Sequence, residues 1–261
     1  MGKRSRLKSS TVAIRTEPEI SYLRESGRIT ALALKKAISF AKVGVSLIEI
    51  DKIAEEEILR LGGQASFKSV PGYFWATCLT VNEEVVHGIP RDIRLNNGDV
   101  LSIDLGANYK GWHTDSAWTI IVGSGDSEKK RFLRIGEETL WKSIAECKKE
   151  NQIGDISATI QSGIEQAGYS VVKSLSGHGV GRKPHEEPVI PEYGSFKTGM
   201  FLKSGMSLAI EVIYTEGKGD IYQKEDNWTL ASVDKSLGGL FEMSVIVNKE
   251  KANVLTDWRK V

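Results

Sequence analysis

Two of this chain's four histidines, His178 and His185, fall within Gly177-His178-Gly179-Val180-Gly181-Arg182-Lys183-Pro184-His185-Glu186-Glu187-Pro188. Gly179, Gly181 and Pro184 rule out a regular helix there, so the imidazoles are presented from bent backbone. A histidine that only fills a core needs no such scaffold. Acids occupy equally unusual places. Asp104 sits in Val100-Leu101-Ser102-Ile103-Asp104-Leu105, and Glu211 in Leu208-Ala209-Ile210-Glu211-Val212-Ile213. Glu242 follows Leu240-Phe241 and precedes Met243 and Val245. An acid in a buried strand costs several kcal/mol unless it is paired or metal-bound. Taken singly, each reads as a solvated strand face or an ion pair. Three such positions plus Asp115, with few Lys or Arg in those strands to neutralise them, read as a convergent cluster. Four converging carboxylates repel one another unless some stay protonated or cations offset them. Two divalent metals with bridging carboxylates would do that. An oxygen-rich set with one imidazole suits Mn, Fe(II) or Co(II), with Zn as an alternative. That is a two-metal hydrolase arrangement.

The elements that must position these groups are legible from caps and periodicity. Thr16-Glu17-Pro18-Glu19 is a capping box with proline in the first turn, predicting a helix to about Lys42 that ends near Gly44. Ser46-Leu47-Ile48-Glu49 opens a second helix, stopped by Gly62-Gly63. Strand-like runs follow at Thr77 to Val81, Val100 to Leu105 and Trp112 to Val122. Helix formers then run from about Ser127 to Glu150, with Cys147 inside that helix, and Asp155 caps a further helix ending near Gly168. Strands return at Tyr169 to Val172, Ser207 to Tyr214, Trp228 to Ser232 and Leu240 to Val247. The order of helices then strands thus occurs twice. Each half carries a His-Gly pair, His87-Gly88 and His178-Gly179, and then two strand acids. Two structurally similar halves around one site are expected, with no linker between them.

Bulk properties narrow the class. At 261 residues the chain can bury a full core, and 40% hydrophobic with 26% charged residues is ordinary globular composition. A net charge of +1 argues against DNA as a partner. Two cysteines, Cys78 and Cys147, make no disulfide framework and point to a reducing cytoplasm. No apolar run reaches spanning length, no signal peptide is visible, and Arg6 stands where a myristoylation motif on Gly2 wants Ser or Thr. Residues 1–13, with Lys3, Arg4, Arg6 and Lys8, read as a basic flexible extension, leaving 14–261 as one catalytic domain.

The motifs together resemble the type I methionine aminopeptidases of the pita-bread metallopeptidase family. The likeness runs from about residue 14 through Val81-Asn82-Glu83-Glu84-Val85-Val86-His87-Gly88-Ile89-Pro90, Gly98 to Asp104, His113-Thr114-Asp115, Gly177 to Pro188, and the strands of Glu211 and Glu242. It implies an α+β pita-bread fold with two pseudo-symmetric halves and a curved antiparallel sheet covered by helices. It implies two metal ions on Asp104, Asp115, His178, Glu211 and Glu242. It assigns His87 and His185 to catalysis and substrate handling, with Glu211 as the base. It makes Tyr73, Cys78 and Trp228 walls of a methionine pocket. The reaction implied is removal of N-terminal methionine from nascent chains and peptides, with small second residues preferred. A cytoplasmic monomer, in transient contact with ribosomes through its basic start and with no membrane partner, completes the expectation.

Several residues depart from the family pattern. Pro184 replaces an aromatic before His185 and is expected to widen the pocket. Val212 stands in place of a proline, Met243 in place of a histidine, and Pro71 in place of a polar residue; Gly238-Gly239 are unusual before the last acid. No ligand is lost. Two other readings follow the same residues: a dinuclear exopeptidase with altered first-residue or Xaa-Pro specificity, and a non-catalytic ribosome-associated module of the same fold. His113 reads as structural, and Glu186 as orienting.

Overall fold

Helix starts in this protein are set by side-chain caps. In the computed structural model, which describes residues 12–261, Glu19 accepts the Thr16 N–H at 2.8 Å and Glu49 accepts the Ser46 N–H at 2.8 Å. These caps open α1 (Glu17–Phe40) and α2 (Leu47–Arg60). The first half continues with β1 (Gln64–Ala65), β2 (Thr77–Val81), β3 (Glu84–Val86), β4 (Val100–Tyr109) and β5 (Trp112–Ile121). The second half opens with α3 (Ser127–Ala145) and α4 (Ile153–Glu165), followed by β6 (Ser170–Val171), β7 (Ser176–Gly179) and β8 (Glu186–Pro191). It closes with β9 (Ser207–Thr215), β10 (Ile221–Gln223), β11 (Leu230–Ser232), β12 (Gly238–Ile246) and β13 (Asn253–Val254). The basic stretch from Lys3 to Lys8 lies outside the described residues, while Val12 packs partly buried against the core.

Two helix expectations need correction. The third helix ends at Ala145, not near Glu150, because the chain beyond it is taken up by other partners. Lys149 donates to the Asn248 carbonyl at 2.8 Å, and Asn151 reaches back to the Glu146 carbonyl at 3.1 Å. Cys147 therefore lies just past the helix, buried. Asp155 does not cap α4 from outside. It occupies the helix's third position, where its carboxylate accepts the N–H of the true cap, Gln152, at 2.7 Å.

The halves meet in one ten-stranded antiparallel sheet, ordered β1-β4-β5-β12-β9-β7-β8, with β2 on β4, β6 on β9 and β13 on β12. A short strand and a longer strand of each half thus flank a central pair, β5 against β12, in mirrored positions. Side chains alternate across such a sheet, so each strand serves two layers. Ile103 and Leu105 of β4, Trp118 of β5, Ile210 and Val212 of β9, and Phe241 and Met243 of β12 face the helices. There they join Leu34, Ile50, Phe132, Leu140 and Ile160 in the main core. Complete burial of each of these apolar side chains contributes about 1.5–3 kcal/mol. The alternate residues face away from the helices, and that face carries the acids.

Candidate active site

Register explains how residues more than a hundred positions apart meet. Cys78 lies opposite Asp104, Asp104 opposite Ala117, Ala117 opposite Glu242, and Glu242 opposite Glu211. These five form one row across β2, β4, β5, β12 and β9. Asp115 is two residues from Ala117 and so shares its face. His178, paired with Ala209 on β9, sits two positions from Glu211 in the same sense. The Ala117 methyl leaves the middle of the row open. All four acids line one cavity of about 300 Å³ together with His87, His178, His185, Tyr73, Cys78 and Trp228. The ten residues singled out from the sequence as site residues therefore converge.

The floor of this cavity is electrostatically incomplete. Asp104, Asp115 and Glu242 are buried, and Asp104 Oδ1 and Glu242 Oε1 accept no hydrogen bond. Burial raises the carboxyl pKa of Asp104 well above its usual range, and the nearby charges of Asp115 and Glu211 add to that. Glu242 is raised by burial and then by Asp115, Glu211 and Asp104. Burial also lifts Asp115, to about 6, against a downward pull from His178. His178 Nε2 lies 3.2 Å from Glu211 Oε1, and its Nδ1 lies 2.9 Å from the Gly179 carbonyl oxygen. With that carbonyl accepting from Nδ1–H, Nε2 is the nitrogen turned toward the acids: it donates to Glu211 when the ring is protonated and offers a lone pair when the ring is neutral. Burial by itself lowers the His178 pKa, but the Glu211 hydrogen bond and the charges of Glu211 and Asp115 outweigh it, and the net shift is upward. Candidate donor atoms of Asp115, His178 and Glu242 all lie within 4.8 Å of one another. Orphaned carboxylate oxygens beside an imidazole lone pair are a donor set that fits a divalent cation.

Two more histidines overlook this floor. His87 ends the β3 turn in left-handed backbone, with φ 59°. Gly88 follows because any Cβ there would come within 2.3 Å of the Leu79 carbonyl oxygen. The His87 pKa is lowered by desolvation first, and His178 lowers it further against Glu211. His185 stands beside His178, ring centroids 4.3 Å apart. Desolvation and the neighbouring imidazoles push it down to about 4. Both rings are accordingly neutral at pH 7, and each has an N–H to donate.

The wall opposite is aromatic, and its buried phenol is hydrogen-bonded. Tyr73 packs edge-on against Trp228 at 5.0 Å and against Trp75 at 5.4 Å. Its hydroxyl donates to the Thr77 carbonyl at 2.7 Å and lies 3.2 Å from Cys78 Sγ. Asp226 accepts the backbone N–H groups of Trp228 and Thr229 at 2.9 and 2.8 Å, fixing the turn that carries the indole. Sequence reasoning missed the apolar residues Phe67, Val70, Val86, Leu175, Ile213 and Leu240, and with them Ser174 and Ser176, which complete the lining. Ile213 and Leu240 stand two residues from Glu211 and Glu242, so strict alternation could have found them. Phe67 belongs to a single 3-10 turn and Leu175 to a loop, where no period exists to read.

The remaining expectations find definite places. His113 is tied to Ser66 Oγ at 2.7 Å and to Asn108 Nδ2 at 3.1 Å, away from the cavity lining. Glu186 pairs with Arg15 and accepts the Lys183 N–H at 3.0 Å. Val212 and Met243 face the helices, so those two departures alter the core and not the cavity. Pro71 and Pro184 do not reach the cavity lining.

A mirrored α+β sheet with an acid and imidazole floor defines a class, the two-fold metallopeptidases with a pita-bread fold. The chain belongs to metallopeptidase family M24, whose sequence pattern matches residues 21–238. It is a hydrolase, and membership in that family implies a divalent metal centre. Methionine aminopeptidase 1 of Bacillus subtilis is 40% identical over 245 residues, 94% of this chain and 99% of that protein. The crystal structure of methionine aminopeptidase from Thermotoga maritima matches with a TM-score of 0.93 at 38% identity, covering 94% of this chain and 99% of that one. A prolidase from Pyrococcus furiosus matches with a TM-score of 0.76 at 25% identity, but this chain covers only 65% of it. The resemblance read from the motifs is borne out, and the pita-bread architecture with it.

Proposed function

We propose that this enzyme removes the N-terminal methionine from peptides and nascent polypeptides, preferring a small second residue. The observation that carries this reading is the juxtaposition, in one cavity of about 300 Å³, of a carboxylate and imidazole floor with a thiol-lined aromatic wall. An unbranched, polarizable thioether fits beside Tyr73, Cys78 and Trp228 better than a branched or charged side chain does. Asp104, Asp115, His178, Glu211 and Glu242 would hold two divalent ions, Mn, Co, Fe(II) or Zn. When bound, they supply Lewis-acid activation of the attacking water and of the scissile carbonyl.

The chain's own residues supply the rest. Glu211, less buried than the other three acids, takes the water's proton and passes it to the leaving amine. Neutral His87 and His185 donate N–H to the peptide and to the oxygen that gains negative charge in the tetrahedral state. The aromatic wall holds the side chain of the first residue, so the reacting bond is positioned before chemistry begins. No helix among the described residues is long and apolar enough to cross a membrane. The enzyme acts in the cytoplasm, as a monomer, on chains emerging from ribosomes. The test is release of methionine from Met-Ala-Ser by metal-stripped protein reloaded with Mn, Co or Fe(II). Metal-dependent turnover is expected; two bound metals without turnover would overturn the methionine assignment.

A further inference from the structure

Glu84 has no part in the chemistry above, yet it is among the most completely enclosed charges in the protein, 3% exposed on β3. Its Oε1 accepts from Arg91 Nη2 at 2.7 Å and from Lys224 Nζ at 2.7 Å, and its Oε2 accepts the Val81 N–H at 3.1 Å. Both cations are only about one-third exposed, with side chains at 30% and 35%. The three partners come from three pieces of chain, and two of them frame the cavity. Arg91 follows His87-Gly88-Ile89-Pro90 and also donates to the Ile89 carbonyl at 3.4 Å, so it closes the turn that presents His87. Lys224 opens the turn that presents Trp228: its N–H bonds the Thr229 carbonyl at 2.8 Å, and its carbonyl accepts the Asn227 N–H at 3.1 Å. Between them, Glu84 lies opposite Ala231 on β11, and Val86, two residues on, lines the cavity.

We propose that Glu84 is a positioning and specificity-determining residue, whose carboxylate clamps the His87 turn to the Trp228 turn and thereby sets the width of the first-residue pocket. This rests on the reading of that cavity as the methionine site. One buried carboxylate serving two cations is geometrically demanding, because each bond fixes the direction left for the other. A single β-pairing between β3 and β11, interrupted by a register shift at Leu230 and Ala231, would leave the two turns freer to part. Glutamine at this position keeps the shape but removes the negative charge the two cations share, and an amide oxygen turned to them sets its NH2 against the Val81 N–H.

The experiment compares Glu84→Gln, Lys224→Met and Arg91→Met in the metal-loaded full chain. It measures kcat and KM on Met-Ala-Ser and norleucine-Ala-Ser, with hydrogen exchange of the same proteins. For Glu84→Gln, KM for Met-Ala-Ser should rise about tenfold and kcat should fall by about three- to fivefold, since the pocket wall and the His87 turn loosen together. Preference between the two first residues should shift with it. Exchange should quicken together in residues 86–91 and 224–229 and stay unchanged in α1. Lys224→Met should loosen only residues 224–229, and Arg91→Met only residues 86–91. Lower thermal stability with unchanged KM, unchanged preference and unchanged local exchange would overturn the proposal. If the wild-type protein fails to cleave Met-Ala-Ser, the methionine reading falls by itself; uncoupled exchange in the two turns would then sink the clamp separately.

Discussion

The floor and the wall of the cavity are built on opposite terms. On the floor, Asp104, Asp115 and Glu242 are buried together and two of their oxygens have no partner. On the wall, Tyr73 is equally buried, but its hydroxyl is bonded and its ring packs against two indoles. The wall is stable as folded. The floor is a cost of several kcal/mol carried by the rest of the core until a cation arrives. A metallopeptidase can thus preform the part that recognises its substrate, while leaving the reactive part unsatisfied.

Substitutions should separate the two regions. The largest effect belongs to the floor: Glu211→Gln should cut kcat on the order of 10³-fold or more, with the fold kept by circular dichroism. Turnover near the wild-type rate would remove Glu211 from the proton path. Next is the metal itself. Adding Mn at a hundredfold excess over Kd to stripped protein should raise the Tm by about 5–10 °C at pH 7.5. At pH 5.5 the gain should shrink, because protons on the raised carboxyls compete with the ion. The metal-free protein should show the complementary trend. Asp115 has its folded pKa raised to about 6, so its contribution is present below its unfolded value and lost as pH rises through 6. His185 has the opposite sign: lowered to about 4, it favours the folded state above 6.5 and loses that as pH falls toward 4. A stripped His185→Asn protein should therefore have a flatter Tm between pH 6.5 and 4 than stripped wild type. On the wall, Trp228→Ala should raise KM about tenfold and leave the metal-induced Tm gain intact. If it also abolishes that gain, floor and wall are not independent. The smallest effect is expected behind the floor. Met243→Leu, a near volume-conserving change in the helix-facing core, should cost less than about 1.5 kcal/mol and leave kcat/KM within about twofold.

Local physics made much of this readable in advance. Asp104, Glu211 and Glu242 stood out because a charge in an apolar strand demands a partner, and the capping boxes at Thr16 and Ser46 gave two helix starts to the residue. What lay beyond reach was long-range. Nothing local to Asp104 says that it shares a row with Glu242, 138 positions away; that is a property of strand register. The end of α3 at Ala145 was hidden for the same reason, since Asn248 supplies the competing hydrogen bond. The strand β7, only Ser176–Gly179 and half glycine, has too little side-chain pattern to announce itself. Nothing near Glu84 in the chain points to Lys224, 140 positions away, which only the fold brings to it.

The sharing of four strands between the helix layer and the cavity has a consequence for how this protein can change. Because Glu242 and Met243 are neighbours pointing to opposite faces, deleting one residue upstream of them within β12 would push the acid among the helices and the thioether into the cavity. Two residues removed would restore the faces yet slide Glu242 off the row it shares with Glu211. Length variation should therefore be tolerated in exposed connections, such as residues 193–197, and eliminated within β4, β5, β9 and β12. A library of single-codon deletions scored for survival should trace the outline of those four strands as four blank intervals.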